Sequence, residues 1–378
     1  MPFAAEAFGT LGEVVVKEGR AINADDVRDA DILAVRSTTR IDQALLEGSS
    51  VRFVGTATIG TDHIDIDYLQ AHDIPWCFAP GCNANSVSEY IVAALLSLAV
   101  RNELSLAGLT LGVVGVGNVG RRVVHKAEAL GLRVLQNDPP RERSKSPKDP
   151  DRPVFVPLDQ LLTESDIITM HVPLTRTGRD ATWHLANRDF FARVRRGCIF
   201  INAARGAVTD TDALLEALDN GTVAHTVIDT WEGEPHIRAD LLQRVDIGTQ
   251  HIAGHSFEGK VQGTVMVYES ACRALGITPD WSAAPLMPPP PVPRCAVVPA
   301  TTDEQTLWDV VRRIYDIEDD ARLLSTSLTM PEQDRTAYFD HLRKDYRMRR
   351  EFSATTLDWQ QPAPSCAKTF AQLGFVCS

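Results

Sequence analysis

The chain has 378 residues, 44% hydrophobic and 23% charged, with 50 acidic against 38 basic side chains and a formal charge of −12. That length exceeds one usual core, so two or three domains are expected. The acidic balance disfavours nucleic acid and anionic membrane as partners, because the electrostatic term is repulsive; no apolar run is long enough to span a bilayer.

The opening reads as α/β, with short apolar strands at Glu13–Val16, Ile32–Val35 and Arg52–Gly55 and a helix start at Ala24-Asp25-Asp26. Ser86–Arg101 predicts one long helix, with Ser86 or Ser88 near its N-cap and Glu89 in its first turn. From Thr110 the alternation resumes, with strands at 110–116, 133–136, 167–171, 198–202, 224–229 and near 246–249. Such alternation implies a mostly parallel, doubly wound sheet. Gly259–Leu275 is a further helix, and six prolines between Pro285 and Pro293 mark a semi-rigid boundary. Segments 302–316, 334–350 and 367–373 then suggest a small α+β module. The expected division is 1–92 completed by about 256–280, then 93–255, a linker at 281–293, and 294–378. The N-terminus lacks the basic-then-apolar pattern of a signal peptide. Seven scattered cysteines with no C-x-x-C predict reduced thiols in the cytoplasm, and no metal is expected.

The most informative stretch is Leu111–Gly120, a β-branched run leading into G-x-G-x-x-G at Gly115, Gly117 and Gly120, with helix-capable sequence after it. Gly115 allows the tight turn, Gly117 lets backbone approach a pyrophosphate, and Gly120 lets helix and strand pack closely. The helix start offers free N–H groups to the phosphates, so Asn118 and Val119 join the glycines as cofactor candidates. Asp138, 18 residues after Gly120 at the end of the next strand, suits the ribose hydroxyls of NAD and repels the 2′-phosphate of NADP.

Three further segments end predicted strands, where such sheets place their ligands. They are Ile199–Gly206, Val227–Pro235 and Gln250–His255. Arg205 can hold a carboxylate with its planar donor fork. His251 can take a hydroxyl proton while hydride leaves the same carbon, and Glu234 can orient the imidazole and stabilise its charged form.

Arg205 in N-A-A-R-G, Glu234 in W-E-G-E-P and His251 in H-I-A-G resemble the D-isomer-specific 2-hydroxyacid dehydrogenase family. Val35–Thr39, Phe53–His63, Ala79–Ala84, Asn137–Arg141, Phe257–Lys260 and Arg349–Phe352 resemble a branch of it that acts on a phosphorylated four-carbon 2-hydroxy acid. The resemblance covers nearly the whole chain. It implies a Rossmann nucleotide domain, a smaller flavodoxin-like α/β substrate domain, and a C-terminal dimerisation domain forming a homodimer. It implies NAD as cofactor, with Arg205, Glu234 and His251 as the catalytic set. Val172, Ala203, Ala204, Asp229 and Gly254 would join the cofactor site, and Ser37, Thr58 and His255 would contact substrate. Arg36, beside Ser37, is the candidate for the substrate phosphate, since so acidic a chain needs local positive charge there. Domain closure across helices 86–101 and 259–275 is expected to exclude water.

The sequence departs from the family at three points. The usual opening strand, hydrophobic-x-hydrophobic-Asp-Glu-Asn, has no counterpart after Met1; either a central strand of the small domain is missing or the start lies upstream. His255 replaces an aromatic hydroxyl, and Val172 replaces a cofactor-touching Thr. Two rival readings are a dehydrogenase for phosphoglycerate, glycerate or lactate, and an NAD-sensing binding protein without turnover.

Overall fold

A computed structural model describes residues 1–144, 153–359 and 363–378. The chain forms two compact units, Met1–Ala84 with Ser256–Pro289 and Asn85–His255 with Pro290–Ser378. It passes from one to the other inside the proline run.

The first unit is built on a parallel sheet of β1 (Ile32–Val35), β2 (Phe53–Thr56) and β3 (Trp76–Cys77), in that order. Consecutive side chains of β2 point to opposite faces. Val54 joins Leu33, Val35, Leu45 and Leu69 on one side. Phe53 packs with Val267, Tyr268 and Ala271 of the helix Phe257–Leu275 on the other. Ser256 caps that helix by accepting a hydrogen bond from the Gly259 amide at 2.9 Å, so it starts two residues before the expected Gly259. Asn23 and Asp26 form a capping box at Ala24–Val27.

The strand expected at Glu13–Val16 does not form. Val15 and Val16 are 76% and 74% exposed, and β1 pairs only with β2 among the described residues. The preceding residues coil into the helix Ala4–Phe8, whose Phe8 ring meets Tyr268 edge-on at 5.9 Å. Glu13–Val16 therefore has no adjacent strand with which to exchange backbone bonds, and β-propensity alone does not hold a strand.

The second unit contains a six-stranded parallel sheet: β4 (Thr110–Val114), β5 (Arg133–Asn137), β6 (Ile167–Met170), β7 (Cys198–Asn202), β8 (Val223–Ile228) and β9 (Ile247–Gly248). The order is β5-β4-β6-β7-β8-β9. The strands are apolar almost throughout because both faces are covered. Leu111, Val113, Ile199 and Ile201 meet the helices Ala84–Arg101 and Gly120–Ala129. Val114, Ile168, Met170 and Phe200 meet Leu161, Phe190 and Leu214 on the other face.

Residues 290–378 carry three short parallel strands, β10 (Arg294–Ala296), β11 (Thr356–Asp358) and β12 (Val376–Cys377), ordered β10-β11-β12. Leu307, Trp308 and Val311 of the helix Asp303–Ile314, with Phe352 and Phe370, join the same core as the helix Ala84–Arg101. The C-terminal module thus shares a hydrophobic core with the nucleotide-type sheet.

Candidate active site

Every strand of the large sheet runs the same way, so the segments after β4, β5, β7, β8 and β9 leave from one edge. Between β4 and its neighbours β5 and β6 the connections turn to opposite sides, the place where such sheets bind ligands.

The glycine loop has the predicted construction. Gly115 has φ +89°, and a Cβ there would meet the His171 carbonyl at 2.7 Å and Val172 Cγ1 at 2.8 Å. A Cβ on Gly120 would stand 2.1 Å from the Gly115 carbonyl oxygen, whereas one on Gly117 would meet nothing within 4 Å. The helix Gly120–Ala129 starts at Val119 with no side-chain cap; the Arg121 and Arg122 amides bond back to the Gly117 and Val119 carbonyls, and the Asn118 and Val119 amides ahead of them are left for a ligand. After β5, Asp138 accepts the Val116 amide at 2.9 Å and the Arg141 amide at 3.0 Å, fixing its carboxylate beside the loop. An open approach at Gly117, uncapped amides and a carboxylate at the ribose position fit a dinucleotide. Val172 lies against the Gly115 turn and offers no hydroxyl there.

At the end of β7, fully buried Asn202 organises the turn that carries Arg205. Its Oδ1 accepts the Ala204 amide at 3.0 Å, and its Nδ2 donates to the Arg205 carbonyl at 3.0 Å and Thr209 Oγ1 at 3.1 Å. Ala203 and Ala204 lead into this turn. The Arg205 guanidinium donates to the Ala204 carbonyl at 2.8 Å and has no ion pair with an acidic side chain of the described residues. It is therefore available to an anion. Gly206 lies hard against the next loop, since a Cβ there would fall 1.9 Å from the Trp231 carbonyl oxygen.

That next loop holds Glu234. Its Oε1 faces His251 Nδ1 in a short contact, and its Oε2 accepts the Trp231 amide at 3.1 Å. Burial raises the cost of its charge, yet the bond from His251, the electrostatic pull of that ring, the Trp231 amide and nearby Arg343 hold its carboxyl below the usual range. An ionised Glu234 accepts, so Nδ1 carries the proton and Nε2 is the nitrogen left for substrate. His251 itself has φ +57°, a left-handed conformation that a non-glycine residue keeps only when its surroundings impose it.

The imposing group is Asp229, placed by β8. Its carboxylate accepts the Ile252 amide at 2.8 Å, the Ala253 amide at 3.0 Å and Thr249 Oγ1 at 2.6 Å, while its carbonyl accepts the His251 amide at 2.8 Å. Expected as a cofactor contact, Asp229 is 1% exposed and committed to shaping the His251 loop. Gly254 lies in the turn closed by the His255 amide on the Ile252 carbonyl, and the His255 ring sits 5.9 Å from that of Tyr346.

In the first unit, Arg36 and Ser37 directly follow β1, and Thr58 follows β2. Thr58 Oγ1 bonds Thr56 Oγ1 at 2.7 Å and donates to the Gly60 carbonyl at 2.9 Å. Lys260, in the first turn of Phe257–Leu275, is held below its usual ammonium range by burial and then by Arg36, so two cations share one neighbourhood.

Sequence reasoning missed four contributors: Asn202, Thr249, Lys260 and Glu232. Glu232 takes His184 Nε2 at 2.5 Å and Thr211 Oγ1 at 2.9 Å, clamping the loop that carries Glu234. The polar residues two or three positions from Arg205, Glu234 and His251 were the available signal. Among the described residues no cluster of His, Cys, Asp or Glu could hold a metal ion, and no helix is long and apolar enough to cross a membrane.

Residues 96–253 match the NAD-binding domain of the D-isomer specific 2-hydroxyacid dehydrogenases, and residues 286–374 match a domain of unknown function. The chain is 44% identical over 375 residues to erythronate-4-phosphate dehydrogenase of Sodalis glossinidius, covering 99% of this chain and 96% of that one. It is 42% identical over 375 residues to the Escherichia coli enzyme of the same name, with the same coverage of both chains. A D-lactate dehydrogenase of Aquifex aeolicus, solved with NAD and lactic acid, aligns with a TM-score of 0.58 at 26% identity, covering 73% of this chain and 92% of that one. The chain belongs to the D-isomer-specific 2-hydroxyacid dehydrogenases, NAD-dependent enzymes, in the erythronate-4-phosphate dehydrogenase branch of that family.

Proposed function

We propose that the chain oxidises C2 of 4-phospho-D-erythronate to (R)-3-hydroxy-2-oxo-4-phosphooxybutanoate, a step toward pyridoxal 5′-phosphate. The observation that carries this reading is the Glu234–His251 pair at the strand edge that also holds Arg205, a guanidinium without an acidic partner among the described residues. Arg205 binds the substrate carboxylate through its donor fork. His251 Nε2 takes the C2 hydroxyl proton, and Glu234 keeps the opposite ring nitrogen protonated and the ring in place. When bound, NAD supplies the acceptor for the hydride that leaves C2, so the two electrons and the proton of the alcohol are both accounted for. The Gly115–Gly120 loop takes the pyrophosphate and Asp138 the ribose, with Ala203, Ala204, Val172 and Gly254 lining the cofactor path and Asp229 holding the loop behind it. Ser37, Thr58 and His255 contact substrate. Arg36 and Lys260 supply the positive field for the 4-phosphate.

The free cysteines suit a reducing compartment, the cytoplasm. Residues 290–378 are read as the seat of a C2 homodimer, because β10 and β12 end their sheet with Val298 and Val376 exposed nearby.

The test is NADH formation with 4-phospho-D-erythronate, 3-phospho-D-glycerate and D-lactate side by side, with the corresponding 2-oxo acids and NADH run in reverse. Strong preference for the four-carbon phosphate is expected. Turnover of another acid alone keeps the chemistry and discards the substrate; silence in both directions discards the reaction.

A further inference from the structure

The catalytic loop His251–His255 is held from two sides, and only one of them belongs to the nucleotide-type sheet. Asp229 holds its amides. Its Ala253 carbonyl accepts Arg349 Nη1 at 3.1 Å, and the same guanidinium donates through Nη2 to the Ser86 carbonyl at 2.7 Å. Arg349 belongs to the C-terminal module, is 3% exposed, and stacks over the Tyr315 ring at 3.7 Å from its centroid. The residues around it repeat the pattern. The Phe352 amide donates to Glu89 Oε1 at 3.0 Å, and Glu351 accepts Ser86 Oγ at 2.9 Å and Asn85 Nδ2 at 2.6 Å. Tyr346 sets its ring against His255 and its hydroxyl on Asp320 Oδ2 at 2.7 Å. A buried cation on two backbone carbonyls is a costly arrangement unless it fixes something. Here it bridges the loop carrying the left-handed His251 and the start of the helix Ala84–Arg101.

We propose that the segment Tyr346–Phe352 of the C-terminal module, through Arg349, positions the His251 loop, giving this module a part in turnover. Arg349 is a positioning residue: it touches neither the glycine loop nor His251 itself. The inference rests on the reading of His251 as the proton acceptor.

Arg349→Lys and Arg349→Met test it in the full chain, beside His251→Ala. Lysine keeps the charge but cannot bridge both carbonyls in the same fork. We expect kcat to fall about tenfold in Arg349→Lys and further in Arg349→Met, with the NADH Kd within about twofold of wild type. Amides of Ile252 and Ala253 should exchange hydrogen faster in both variants. A folded Arg349→Met with wild-type kcat and unchanged exchange overturns the proposal while leaving the functional reading intact. Turnover surviving in His251→Ala overturns the functional reading instead, and the positioning role with it. If the Arg349 variants fail to fold, the wild type decides. Ala253 and Phe352 amides should lose protection in one opening event with one denaturant dependence; two separate events would sink the idea.

Discussion

In the proposed reaction Glu234 is the residue whose charge matters most, while 24% of its side chain remains exposed. Its carboxyl lies below the usual range although burial opposes the charge, so the imidazole and the Trp231 amide outweigh desolvation. Glu234→Gln keeps the shape and removes the charge. Kcat should fall by about tenfold to a hundredfold, part of the roughly 10²–10⁴ a positioned acid–base group contributes. NADH binding, made at the glycine loop, should hold. The sign of the stability effect follows from linkage. A carboxyl with a depressed folded pKa adds stability that is present above its unfolded value, about 4.3, and lost as pH falls through the folded value. The melting advantage of wild type over Glu234→Gln should therefore be level from neutral pH down to about pH 5 and shrink below it. An advantage that grows in acid would show Glu234 to be protonated in the fold.

At the scale of elements, the glycine loop separates two kinds of requirement within six residues. Gly120→Ala forces a Cβ to within 2.1 Å of the Gly115 carbonyl, so strand and helix must part. Overpacking of this sort costs about 1–3 kcal/mol, and the melting temperature should drop by several degrees. Gly117→Ala has open space in the ligand-free chain. It should melt like wild type yet bind NADH about tenfold more weakly, since the methyl occupies the path of the pyrophosphate. Equal NADH affinity in Gly117→Ala would place the phosphates elsewhere. These elements were legible because each local signal has one solution: an apolar run buried on both faces, glycines at fixed offsets, an acidic strand end. Arg205, Glu234 and His251 stood out in the sequence because each lies in a segment that follows the end of a strand. Asn202 and Thr249 were not, since nothing in a lone polar residue says that its partners lie 28 and 20 positions away at Thr230 and Asp229. Glu13–Val16 failed for a complementary reason, as its residues favour a strand but a strand needs a neighbour.

The whole second unit depends on a joint that composition hides. Glu89 was read as a helix-start carboxylate, but it is fully buried where the C-terminal module meets the helix Ala84–Arg101. Burial first, and the neighbouring Glu351 second, push its carboxyl well above the usual range, while Lys126 and Arg349 pull the other way. The folded chain therefore keeps a proton on Glu89 that the unfolded chain releases above about pH 4.3, so unfolding releases a proton and rising pH favours it. Glu89→Gln carries no titrating group at this position and still offers an oxygen to the Phe352 amide. Its melting temperature relative to wild type should climb steadily between pH 5 and about 7.5, over the stretch where wild type loses stability. Lys126, held below its usual range by burial, has the opposite sign, since a lysine with a depressed folded pKa gains stability as pH rises through that value. A pH-independent difference would mean that Glu89 is charged in the fold and that Lys126 and Arg349 neutralise it fully. The joint would then be an ion-pair cluster, sensitive to loss of either cation, whereas a neutral Glu89 makes it a hydrogen-bonded seam that tolerates the change to Gln.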